Sequence, residues 1–206
     1  MNTLILPARY DIGAALRRLR RRRITNLFGL VPSRPVKVSL DGTPLSIELV
    51  WMPAYAFRFG LSGGGLWTHT WISVDASFGG FALFARRDAL VEVKPEGERF
   101  PAVLDQDTAE EQARDGLIRY ILRKRGAKPE VKSIEDVCFY YAPVWVYYYR
   151  NLSGKIDFAI LDAYTGEPMG SRMRAAIMSG MIAQRKKRQK ADKVSVDPNP
   201  LKPDML

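Results

Sequence analysis

The sequence predicts an α+β fold: two similar helix-plus-antiparallel-sheet units from an internal repeat, with a basic N-terminal helix and an extended C-terminal tail. Three observations lead there. One segment recurs at a spacing of 87 residues, a helical apolar stripe precedes each copy, and both copies alternate as strands do.

The repeat comes first. "SIELVWMPAYAFRF" begins at Ser46 and "SIEDVCFYYAPVWVYYY" at Ser133. The second copy has three extra residues before its proline, so Pro53 answers to Pro143. A longer glycine loop in the first copy restores the spacing, and "VDASFGG" (Val74–Gly80) meets "LDAYTGE" (Leu161–Glu167). Matching ends with compensating gaps in loops are what a duplicated unit leaves.

A helix is expected before each copy. Asp11 can cap a first helix whose inward face is Ile12, Leu16, Leu19 and Leu27, with Gly29 as its stop. In the second, Thr108 and Glu111 have capping-box spacing, and Ala113, Leu117 and Ile121, flanked by Ile118 and Leu122, form the stripe. Gly126 and Pro129 then stop it in the usual order. Period two sorts the strand side chains: Tyr55, Phe57 and Phe59 share one face in the first copy, and Trp145, Tyr147 and Tyr149 share it in the second. One face of each sheet can be covered by its own helix; the other needs cover from the second repeat or another chain. "FALFARRDALVEV" supplies extra strands to the first unit. A third helix runs from Ser171 to about Gln184, with Met173, Ile177 and Met181 on one face. Residues 1–104 then hold the first unit, 105–184 the second, and 185–206 a basic, proline-containing tail.

The net charge of +10 is uneven. Residues 1–40 carry nine Arg or Lys against one Asp, residues 171–206 nine against three, and the stretch between them is net acidic. "RRLRRRR" (17–23) places six arginines in seven residues. Arginine favours bidentate carboxylate or phosphate contacts, so the ends point to an acidic protein face, nucleic acid or anionic lipid. The single Cys138 excludes an internal disulfide. Only a three-residue apolar run precedes Pro7, short of a secretory leader, and no run approaches the ~20 apolar residues of a membrane-spanning helix. The expected location is the cytoplasm.

"PVWVYYYRNLSGKIDFAILDAYTGEPMG" resembles the C-terminal hairpin of PepSY-type domains, an apolar strand, a variable loop and a strand ending in Asp-Ala-x-Thr-Gly-Glu. The resemblance covers roughly residues 108–170 and, more weakly, 12–80, where Asp75, Ala76 and Gly79 survive. It implies a cystatin-like α+β fold and a role in inhibition, regulation or assembly. PepSY domains are mostly extracytoplasmic; the arginine-rich ends set this chain apart from them.

Residues with chemistry are few. The only histidine, His69, sits in "WTHTW" with Trp67 and Trp71 on the same parity, and reads as a packed or hydrogen-bonded residue. Cys138, at the start of a strand, reads as buried. One histidine and one cysteine supply no His-rich or Cys-cluster metal site, and neither metal nor cofactor is expected. Asp75, Asp162 and Gly166 read as structural turn residues, the aspartates bonding turn amides and the glycine supplying a positive φ. "SGGG" (62–65) lacks the context of a phosphate loop and reads as a flexible hairpin tip. No enzyme is expected. The expectation is instead a non-catalytic accessory or structural subunit of a larger cytoplasmic assembly. It docks onto protein partners, or a second copy, through an aromatic sheet face (Tyr55, Phe57, Phe59, Trp145, Tyr147, Tyr149) and the arginine-rich ends. The alternative is a nucleic-acid-binding module holding phosphates with Arg17, Arg18, Arg20, Arg21, Arg22 and Arg23 and with Arg185, Lys186, Lys187 and Arg188; an anionic membrane surface is a further target for the same residues.

Overall fold

The computed structural model describes residues 3–22, 47–63, 66–85, 87–126, 128–150 and 153–182. In chain order these form β1 (Thr3–Ile5), α1 (Ile12–Arg22), β2 (Ile47–Gly63), β3 (Leu66–Asp75), β4 (Phe81–Leu83), β5 (Val91–Val93), β6 (Glu98–Arg99), α2 (Gln106–Arg123), β7 (Glu130–Arg150), β8 (Ile156–Asp162) and α3 (171–182). Three helices and a large sheet make the fold α+β, and most of it is sheet. The sheet runs β4-β3-β2-β7-β1-β5, with β6 also alongside β2 and β8 alongside β7. It is mixed: β1 on β7 and β6 on β2 are parallel, the other pairings antiparallel. Part of "FALFARRDALVEV" extends the first hairpin, as β4 on β3, whereas β5 pairs with the N-terminal β1.

Two long strands, β2 and β7, lie antiparallel at the centre, rich in the β-branched and aromatic residues that suit a pleated, buried surface. Their register places Pro53 opposite Tyr141 and Pro143 opposite Trp51, so the two strands are related here by a local two-fold. Around it the hydrogen bonds match. The N–H of Ala76 donates to Pro53 O and that of Ala163 to Pro143 O, each at 2.9 Å. Phe100 N–H reaches Trp51 O at 3.0 Å where β6 ends, and Leu6 N–H reaches Tyr141 O at 2.9 Å where β1 ends. Each short parallel strand then turns into a helix capped by an aspartate. Asp11 Oδ1 accepts from Ala14 N–H at 2.7 Å, and Asp105 Oδ1 accepts from Thr108 N–H at 2.8 Å.

That second cap differs from the capping box expected at Thr108. Val103 and Leu104 both donate to Ala76 O at 2.8 Å, which fixes the chain just ahead of Asp105 and starts α2 there. Thr108 is left inside the first turn. On α2 the stripe Ala113, Leu117 and Ile121 is buried with Ala109, while Ile118 and Leu122 are exposed. On α1 the buried residues are Ala15 and Leu19, with Leu16 half-buried; Ile12, expected inside, is 51% exposed, and Leu27 and Gly29 lie outside the described residues.

Each helix covers the other half's hairpin rather than its own. α1 packs on β7 and β8, and α2 on β2 and β3. The cause is the short strand ahead of each helix: β6 is bonded to β2 and β1 to β7 before the helix begins. Under α2 lie Phe57, Phe59, Ile72 and Val74; under α1 lie Tyr147, Tyr149 and Leu161. On the opposite face the halves diverge. Met173 and Ile177 of α3 pack over Val144, Val146, Tyr148 and Ile160. Over Ala54, Ala56 and Cys138 the cover is Phe84, stacked on Tyr140 at 5.0 Å, and Leu90. No helix among the described residues is long and apolar enough to cross a membrane.

Candidate functional site

The aromatic face expected to meet a partner is filled from within. Phe57, Phe59, Tyr147 and Tyr149 are buried beneath the two helices, and only Tyr55 and Trp145 at its margin are half-buried. Trp145 Nε1–H donates to Tyr10 O at 2.7 Å, so its polar edge is also occupied. Parity aligned these rings correctly, but a helix on the same side converts a surface into core; such rings contribute about 1.5–3 kcal/mol each by burial.

The turn residues are built alike in both halves. Asp75 Oδ1 accepts from Ser77 N–H (2.7 Å) and Phe78 N–H (3.2 Å); Asp162 Oδ1 accepts from Tyr164 N–H (2.7 Å) and Thr165 N–H (3.0 Å). Gly79 and Gly166, at φ +76° and +73°, each donate to the turn aspartate's carbonyl at 2.8 Å. Both carboxylates thus close an Asx turn. A cleft of about 530 Å³ beside the second turn is lined by Phe78, Asp162, Thr165, Glu167, Arg172 and Met173, and it opens to solvent.

Burial pushes the Asp75 carboxyl up from 3.8 to about 6, against the lowering effect of the Ser77 and Phe78 amides. A carboxyl whose folded value lies above its unfolded one contributes stability below pH ~4, and that contribution disappears as pH rises to about 6. Asp75→Asn keeps an acceptor oxygen for both amides and removes the buried charge. The variant is therefore expected to gain in melting temperature relative to the wild type between pH 4 and 6, and to equal or exceed it at pH 7.5. Thermal melts across that range check this; a difference that does not change with pH would mean that the carboxyl does not titrate there.

Of the arginines, Arg18 belongs to the fold. Its Nη1–H donates to Gly166 O at 2.7 Å, its Nη2–H to Tyr10 O–H at 3.0 Å, and its guanidinium lies 4.4 Å from the Tyr10 ring centre. Arg17 is exposed and meets no carboxylate among the described residues. The side chains of Arg20, Arg21 and Arg22, and all of Arg23, Arg185, Lys186, Lys187 and Arg188, lie outside the described residues. Cys138 is buried inside β7 rather than at its start, and burial is the main cause raising its thiol above the ordinary range, which leaves it a poor nucleophile.

One group of side chains stands apart. Bonds between β3 and β2 use the even-numbered β3 residues, so Trp67, His69 and Trp71 turn their backbone groups outward and their side chains to one face. Trp67, 61% exposed, lies against Gly60, where an added Cβ would come within 2.9 Å of the indole. His69 Nδ1 is 3.1 Å from Arg58 Nη2, and Arg58 Nε is 3.0 Å from Glu135. The histidine is hydrogen-bonded, as its surroundings in the sequence indicated, and it is exposed. The sequence showed the shared parity of Trp67, His69 and Trp71 but gave no sign that this end of the sheet is uncovered. No family model, curated protein or solved structure matches the chain.

Proposed function

We propose that the chain is a non-catalytic accessory or structural subunit that docks onto a protein partner in the cytoplasm, with its arginine-rich ends as contact elements. The observation that carries this reading is the layout of α1. Ala15, Leu16 and Leu19 hold it to the sheet, Arg18 ties it to the turn at Gly166, and Arg17 stands outward without a carboxylate among the described residues. An unpaired arginine on such a face gains little from its own chain, since exposed ion pairs are worth about 0–1 kcal/mol. A partner that meets several cations at once gains more.

The alternative keeps the same residues and replaces the acidic protein face by nucleic acid, whose phosphates would release counterions. One experiment separates the two. Replacing Arg17, Arg20, Arg21, Arg22 and Arg23 with Gln, and leaving Arg18 in place, is expected to change thermal stability by less than about 1 kcal/mol. Association with the co-purifying partner should be lost or strongly weakened. A stoichiometric protein that leaves with the arginines supports docking; nucleic acid that leaves with them supports the alternative; a collapse of stability with association intact overturns both.

We also read the two halves as a duplicated PepSY-like unit. Supporting this are the equivalent Asx turns, the equivalent parallel strands β1 and β6, and the two aspartate caps. The exchange of helices then makes each half incomplete without the other, which suits a rigid scaffold.

A further inference from the structure

The β3 edge is only partly covered. β4 pairs with Ile72, Ser73 and Val74, and Phe84 N–H takes Trp71 O at 2.9 Å. Beyond that point no strand among the described residues pairs with the outer side of Leu66–Thr70. The N–H and C=O groups of Trp67 and His69 therefore point outward from a regular strand, and the side chains of Trp67, Thr68 and His69 are all exposed. In the other half the positions equivalent to Trp71 and Ser73 are covered in a like way: Arg174 of α3 bonds Phe158 O on β8, and Met169 N–H bonds Ile160 O at 3.2 Å. Open edges of this kind are templates for an added strand.

Charge says what the added strand should carry. Arg87, whose guanidinium lies 5.5 Å from the Trp71 ring centre, has a buried Nε with no hydrogen-bond partner and meets no carboxylate among the described residues. Arg58, across from Trp71, is by contrast already paired with Glu135. The unmatched group at the covered end of the edge is thus a cation.

Resting on the docking reading above, we propose that the β3 edge at Leu66–Thr70 takes up an extended segment of a protein partner as an additional strand, and that an acidic side chain of this segment pairs with Arg87. Backbone bonds to Trp67 and His69 supply register, Trp67 supplies apolar area, and Arg87 selects for a carboxylate. The outward N–H and C=O groups of Trp67 and His69 need a partner that both donates and accepts, which a peptide backbone does and a phosphate chain does not.

The test uses the full chain and fluorescein-labelled peptides of alternating Val and Thr carrying two Glu, two Gln or two Lys, followed by anisotropy. The Glu peptide is expected to bind about tenfold more tightly than the Lys peptide. Arg87→Gln should remove that preference while the Gln peptide is unaffected. His69→Pro removes an outward N–H that β2 does not use and should abolish binding of every peptide, with circular dichroism and melting temperature confirming the fold. Arg87→Gln lies off the strand and decides the charge assignment even where the proline variant does not fold. Equal binding of Glu and Lys peptides, or binding retained in folded His69→Pro, overturns the proposal. So does Trp67-dependent binding of oligothymidylate without peptide binding, or self-association that His69→Pro abolishes. If any of these occurs while the α1 arginines still govern partner association, the edge assignment fails and the docking reading survives.

Discussion

Truncation of Phe57 to alanine is expected to destabilise the fold by about 3–5 kcal/mol, and Tyr147→Ala by a similar amount. Both rings are fully buried and occupy equivalent places, Phe57 beneath α2 and Tyr147 beneath α1. Phe57 belongs to one cluster with Phe59, Ile72, Val74 and Ala109, Ala113, Leu117 and Ile121 of α2, so its removal leaves a cavity beneath the helix. Against a domain stability of some 5–15 kcal/mol, losses of that size bring the chain close to unfolding at 37 °C. Chemical denaturation gives the measurement: a lower midpoint at unchanged slope is expected for each variant. Near-normal stability with weakened partner association would instead return these rings to the docking surface.

What separates a docking face from a core is here a matter of connection, which local sequence does not record. Alternation over Tyr55–Phe59 and Trp145–Tyr149 sorts the rings onto one side of the sheet. The stripe at Ala113, Leu117 and Ile121 likewise gives α2 an inward face, and those residues are buried. Neither pattern says which helix meets which hairpin. That is decided by two short strands, β1 and β6, whose two or three residues carry almost no periodic signal. The aspartate turns were legible because their chemistry is local: side-chain oxygen, amides two and three residues on, and a glycine at positive φ. The cap of α2 was not, because "DQDTAEE" offers acceptors at Asp105 and Thr108 and a distant carbonyl, Ala76 O, makes the choice. For the candidate site, the sequence shows that Trp67, His69 and Trp71 share a face. It does not show that β4 stops short of them, since the length of a pairing depends on where Phe84 crosses over to Tyr140.

Gly166→Ala tests whether the docking of α1 is as tight as the geometry makes it. Two effects add. At φ +73° an L-residue costs about 1–2 kcal/mol, because its Cβ crowds the carbonyl. A Cβ at Gly166 would also sit 2.5 Å from the Tyr10 ring and 2.6 Å from Arg18 Nη1, forcing apart the contacts that hold α1 to the second turn, at roughly 1–3 kcal/mol. The total expected is about 2–5 kcal/mol. Gly154, in the β7–β8 loop at φ +77°, separates the terms, since nothing lies within 4 Å of its added Cβ. Gly154→Ala should show the backbone cost alone, about 1–2 kcal/mol. Gly79 is the counterpart in the first half, where a Cβ would meet the Gln112 side chain of α2 as Gly166 meets Arg18 of α1. Adding Arg18→Ala to Gly166→Ala removes one of the two colliding groups, so the double variant should lose less than the sum of the singles, a coupling readable from a double-mutant cycle. Equal losses for Gly166→Ala and Gly154→Ala, with strict additivity in the cycle, would mean that α1 yields at the turn; Arg18 would then be as available to a partner as Arg17.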